Sequence, residues 1–148
     1  MSLKLSEIIM NQAIFTVGTT GHVMHGKSTL VHRLTGQRTQ RHQSEIEGNK
    51  SINLGYANCK VWQKSDGTFL TSKSNVTLKD AKLIGHISFA DCPGHEDYMS
   101  AMINGTSVMD HALVVIAGNE TVPRSQTVEH IKALDYGGIN KRTYILNK

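Results

Sequence analysis

Eight consecutive residues, Gly21-His22-Val23-Met24-His25-Gly26-Lys27-Ser28, constrain this chain more than any other stretch. They fill every fixed position of G-x-x-x-x-G-K-[S/T], the pattern of a loop that cradles phosphate. Before it, Ala13 to Gly18 is short, apolar and β-rich; after it, Leu30, Val31 and Leu34 are spaced as one face of a helix. Gly21 and Gly26 let the backbone turn tightly and approach phosphate oxygens. The amides from His22 through Val23, Met24 and His25 to Thr29 are expected to point at the anion, reinforced by the partial positive charge of the helix start. Lys27 would place a point charge between β- and γ-phosphates, and Ser28 would offer a hydroxyl to Mg²⁺. The competing reading is a glycine-rich turn with a solvated lysine. It accounts for neither the complete set of positions nor the flanks.

The chain then alternates strand and helix. Thr35-Gly36 ends the first helix, with glycine as its cap. Gln37 to Asn53 is polar and aperiodic, long for a connection in a compact domain, and holds Glu45, Glu47 and Ser51. Strands are expected at Leu54–Trp62, Leu83–Ala90, Ala112–Ala117 and Thr143–Leu146, with a turn at Ser65-Asp66-Gly67. Two more helices carry Tyr98, Met99, Met102 and Ile103, then Val128, Ile131 and Leu134, as inward faces. This order predicts an α/β fold with a largely parallel sheet flanked by helices. Residues 1–12 read as a leader, with a short helix at most, and residues 13–148 as one domain.

A length of 148 residues suffices for one buried core. No apolar run approaches the ~20 residues of a membrane span, and the first ten residues lack the apolar centre of a secretion signal. No membrane partner and a cytoplasmic location are expected. Cys59 and Cys92 make neither a disulfide framework nor a zinc cluster, which points to a reducing compartment. Sixteen basic against twelve acidic residues give +4, which permits contact with polyanions without demanding it. Arg38, Arg41 and His42 are the densest basic patch, read as a solvated loop.

Asp91-Cys92-Pro93-Gly94-His95 ends the strand that begins at Leu83. A strand-end carboxylate at Asp91 can reach Mg²⁺ through water. Gly94 has an amide for a γ-phosphate, and His95 is the candidate for orienting an attacking water. In such sheets ligands bind at the carboxyl ends of strands. Gly21–Ser28, Asp91–His95 and Asn147-Lys148 are therefore expected to share one crevice. His22 and His25 are read as shaping the loop rather than ligating metal, Met99 and Met102 as core filler, Tyr56 and Trp62 as strand packing, and Cys92 as a small hydrophobe.

These motifs together resemble the translational GTPases, with a Ras-like G domain. Asn49-x-Ser51-Ile52-x-Leu54-Gly55-Tyr56-Ala57-Asn58, Met109-Asp110-x-Ala112-Leu113, Ile116-Ala117-Gly118-Asn119-Glu120 and Gln126-Thr127-x-Glu129-His130 resemble more closely the gamma-subunit family of eukaryotic and archaeal translation initiation factor 2. The resemblance runs from about Phe15 to Lys148. It implies GTP and GDP as ligands with Mg²⁺ held by Ser28, Ser51 and Asp91, catalysis by His95 and Lys27, and guanine recognition by Asn147 and Lys148. It implies alpha and beta subunits, initiator methionyl-tRNA, the small ribosomal subunit, and GTPase-activating and exchange factors as partners. It also implies a G domain that is incomplete, stopping before the aspartate of Asn-Lys-x-Asp, the last strand and its helices. Three departures stand out: Met24 replaces the family's usual aspartate, Lys50 an apolar residue beside the switch-one position, and Gln63 to Lys82 holds no cysteine, so no zinc is expected. A nucleotide-holding scaffold with little hydrolysis and a P-loop ATPase are the alternatives.

Overall fold

A computed structural model describes residues 4–40, 53–71, 80–121 and 123–148. Its centre is a six-stranded sheet of β1 (Phe15–Thr20), β2 (Gly55–Lys64), β3 (Phe69–Thr71), β4 (Ala81–Asp91), β5 (His111–Ala117) and β6 (Arg142–Asn147), in the order β3-β2-β4-β1-β5-β6. Strands β4, β1, β5 and β6 run parallel, while β2 is antiparallel to both β3 and β4. The sheet is thus mostly parallel, as expected. The connection after β1 leads to β2 on one side and the connection after β4 crosses to β5 on the other, so the carboxyl ends of β1 and β4 lie where the strand order reverses, the usual place for a ligand crevice.

Helices cover both faces of the sheet. On one, α2 (Lys27–Thr35) places Val31 against Val17, Ala57, Cys59 and Phe89. On the other, α3 (Met99–Thr106) and α4 (Ser125–Tyr136) bury Met102, Ala133 and Leu134 against Cys92, Met109, Ala112 and Val114. Cys59 and Cys92 are both free and buried. The leader contains a short helix, α1 (Leu5–Asn11), pinned to β4 where His86 Nδ1 donates to the Ile9 carbonyl at 3.0 Å.

The helix faces differ from a purely apolar reading. In α2 the inward residues are Lys27, Val31 and Thr35, four apart, and Leu34 is exposed. In α3, preceded by a 3₁₀ turn at Glu96–Tyr98, the inward face is Met102, Gly105 and Thr106, and Ile103 is exposed. In α4 Thr127 and His130 turn inward and Val128 outward. In α2 and α4 the groups that reach the phosphate loop, Lys27 and His130, lie on the inward face. Thr35 and Thr106 turn inward at the C-terminal ends of their helices, where their hydroxyls donate to the Val31 and Ile103 carbonyls. Gly36 caps α2 in the left-handed region (φ 76°), as its position predicted.

Candidate functional site at the carboxyl end of the sheet

Strand β1 delivers Thr19 and Thr20, both fully buried, and then breaks at Gly21. Gly21 has φ 130°, and a Cβ there would run into the Val115 carbonyl. Glycine is required on both counts. The loop rises through His22, Val23 and Met24, the last in the left-handed region at φ 63°, an uncommon place for a non-glycine residue. Gly26, at φ 90°, is the N-cap of α2, and a Cβ on it would meet the side-chain amide of Asn147. The first amides of α2, including those of Lys27, Ser28 and Thr29, have no intrahelical acceptor by construction. Ser28 is half-buried and Thr29 exposed.

Lys27 lies inside the loop. Its Nζ donates to the carbonyls of Gly21 and His22, both at 2.9 Å, and the residue is 6 % exposed. Burial pushes its ammonium down to about 8, with Asp91 pulling the other way. A cation held at such cost, with two loop carbonyls as its acceptors, fits a site for an anion.

Asp91 ends β4, fully buried, with both oxygens engaged: Thr19 donates its hydroxyl at 2.7 Å and Thr39 at 2.5 Å. Cys92 behind it is buried, and its thiol is held well above the ordinary range by that burial and then by the Asp91 carboxylate. It is a small hydrophobe. Gly94 lies against the phosphate loop, where a Cβ would meet the Lys27 amine and come within 2.8 Å of the Val23 nitrogen. His95 sits next along, with its Nδ1 3.3 Å from the Asp97 amide and 3.1 Å from the Asp97 carboxylate. Those two contacts exclude each other in proton terms: a bare Nδ1 accepts from the amide, a protonated one donates to the carboxylate.

Asn147, the last residue of β6, donates its Nδ2 to the His25 carbonyl at 2.9 Å, tying the third strand end to the loop. His25 is fully buried; its Nδ1 donates to the Val115 carbonyl at 3.2 Å and its ring faces His22 at 5.2 Å. The His22 imidazole is pushed down by burial and by His25. Lys148 is exposed, with φ 69°. The structure thus brings the loop, Asp91 to His95, and Asn147 together. Ser51, Lys50, Arg41 and His42 lie outside the described residues.

Sequence reasoning missed Thr19, Thr39 and His130. Nothing in the pattern marks Thr39, which comes from the polar stretch. His130 was legible only as part of a run. Its signal is its spacing from Thr127 and Leu134, three and four residues apart on one helix face.

A glycine loop between the central strand and its helix, with a buried lysine at the switch point of a mostly parallel sheet, defines a P-loop nucleotide-binding fold. The family model for the elongation factor Tu GTP-binding domain matches residues 12–148, and this chain belongs to that family. Among curated proteins, the eukaryotic translation initiation factor 2 subunit gamma of Schizosaccharomyces pombe is 41% identical, over 95% of this chain and 35% of that protein. The subunit 3 of the same factor from Drosophila melanogaster is 39% identical, over 96% of this chain and 33% of that protein. The chain spans about a third of the length of these relatives. Among solved structures, a bacterial selenocysteine-specific elongation factor superposes with a TM-score of 0.69 at 28% identity, covering 91% of this chain and 20% of that one. The elongation factor SelB of Methanococcus maripaludis, in complex with the GTP analogue GppNHp, gives 0.56 at 27%, covering 89% and 21%.

Proposed function

We propose that this chain binds GTP and GDP at the Gly21–Ser28 loop and forms the nucleotide-switch part of a translation initiation factor. The single observation that supports it most is Lys27, a nearly buried cation enclosed by its own loop, its amine where a Cβ on Gly94 would fall. Family membership supplies guanine nucleotide as the ligand class. Identity to the gamma subunit of initiation factor 2, and the GTP analogue in the SelB structure, support initiation and GTP.

On this reading Lys27 and the amides of His22 to Thr29 bind and neutralise phosphate charge, more strongly in a water-poor site than in solvent. Gly94 presents its amide to the terminal phosphate. His95 places the attacking water, and Asn147 and Lys148 contribute to guanine recognition. Asn147 already braces the loop, so base recognition and phosphate binding share one side chain. An all-oxygen donor set of Ser28 hydroxyl and Asp91 carboxylate fits Mg²⁺, a hard cation, whereas the thioether of Met24 does not. Ser28, Ser51 and Asp91 would hold the ion, with Asp91 acting from behind its two threonine bonds. When bound, the metal offsets charge developing on the phosphates. The alpha and beta subunits, initiator methionyl-tRNA, the small ribosomal subunit, and GTPase-activating and exchange factors are the partners that the relatives' identity suggests, and the cytoplasm is the compartment.

Two observations favour a scaffold that holds nucleotide and hydrolyses little: His95 Nδ1 is occupied by Asp97, and Met24 brings no carboxylate to the loop. Single-turnover hydrolysis separates the two. With GTP bound, His95→Ala is expected to slow cleavage by about 10²-fold or more with unchanged affinity. A rate that does not move leaves the scaffold. Lys27→Ala is expected to abolish binding; undiminished GTP affinity in that variant overturns the site itself.

A further inference from the structure

The entry to the phosphate loop is anchored by a residue 109 positions away. The Gly21 N–H donates to His130 Nδ1 at 3.0 Å, and His130 is fully buried on the inner face of α4 beside Thr127 and Leu134. Because Nδ1 accepts, the neutral ring must carry its proton on Nε2. That Nε2 has no hydrogen-bond partner among the described residues. A buried orphan donor is costly. A leucine there would fill similar space without that cost, so core filling does not account for this imidazole. The acceptor at Nδ1 does.

Gly21 is where direction matters most. With its φ of 130° and the Val115 carbonyl behind it, the chain leaves β1 in a conformation that only glycine adopts readily. The bonded N–H lies in the Thr20–Gly21 peptide plane, so fixing it orients the last peptide of β1 from which the loop departs. The next carbonyls, of Gly21 and His22, are the two that hold Lys27. We infer that His130 is a positioning residue for nucleotide binding: by accepting the Gly21 N–H it holds the loop open in the shape that receives phosphate, and so couples α4 to nucleotide release. This rests on the reading of the loop as a guanine-nucleotide site.

The test is the release rate of a fluorescent GDP from the chain as it stands. His130→Leu, which keeps bulk and loses the acceptor, is expected to release nucleotide about tenfold faster, the effect of one lost buried bond. His130→Asn places its Oδ1 where Nδ1 lay and is expected within about twofold of wild type. A role limited to packing predicts the opposite order, with the smaller asparagine worse. Unchanged release in His130→Leu, or no rescue by His130→Asn, overturns the inference. Should His130→Leu not fold, the imidazole ¹⁵N spectrum of the wild type decides: the Nε2–H tautomer of His130 is expected, and an Nδ1–H tautomer overturns the inference. A wild type that retains no guanine nucleotide overturns the underlying reading and this inference with it, an outcome distinct from normal binding with unaltered release.

Discussion

Acidification should weaken the folded chain through His130 by an amount that can be isolated. Burial first, then the neighbouring charges of Lys27 and His22, holds its folded-state value down to about 4, against 6.5 when exposed. As pH falls, the unfolded chain therefore gains a proton on this ring before the folded chain does. The contribution is intact above 6.5 and lost progressively as pH drops toward 4. At pH 5.0 an unfolded imidazole is mostly charged while the buried one is still neutral. The population ratio shifts by about 30-fold, or about 2 kcal/mol, relative to pH 7.5. His130→Asn removes the titration and keeps an acceptor for the Gly21 N–H. Urea unfolding of both proteins at pH 7.5 and 5.0 gives four stabilities, and the carboxylates common to both cancel in the double difference. The wild type is expected to lose about 2 kcal/mol more than the variant. A double difference below about 0.5 kcal/mol, or one of opposite sign, would refute the assignment of His130 as a buried, neutral acceptor.

Two further perturbations probe the walls of the crevice. Thr39→Val deletes one of the two hydroxyls that donate to the Asp91 carboxylate and should lower unfolding free energy by about 1.5–3 kcal/mol, read from denaturant melts; a change under about 0.5 kcal/mol would mean that the bond contributes nothing measurable. Gly94→Ala forces a methyl against the Lys27 amine and the Val23 backbone, so the unfolding free energy should fall by an overpacking cost of about 1–3 kcal/mol. Affinity for GTP should fall more than affinity for GDP, because only the terminal phosphate would lie beside Gly94; equal losses would place this glycine elsewhere.

The loop, its lysine and the strand-end run from Asp91 to His95 were readable because each is local. Their chemistry depends on residue types at fixed short spacing, and a backbone turn of that shape admits few alternatives. The same holds for the cap at Gly36 and for the strand-helix alternation that led to a mostly parallel sheet. Strand ends were less readable: β1 begins at Phe15 and continues through Thr19 and Thr20, whose burial depends on what lies across the crevice.

By itself, then, the order of residues determined a phosphate-cradling turn on an α/β sheet, because that turn is made by neighbours in the chain. The tertiary structure alone decided which side chains reach it from afar: Asn147 bracing His25, Thr39 meeting Asp91, His130 accepting from Gly21. Those pairings span 52 to 122 positions, and no periodicity within a segment can encode them. They arise only when β1, β4, β5 and β6 lie side by side and the helices choose, face by face, between burying an aliphatic and satisfying a polar group.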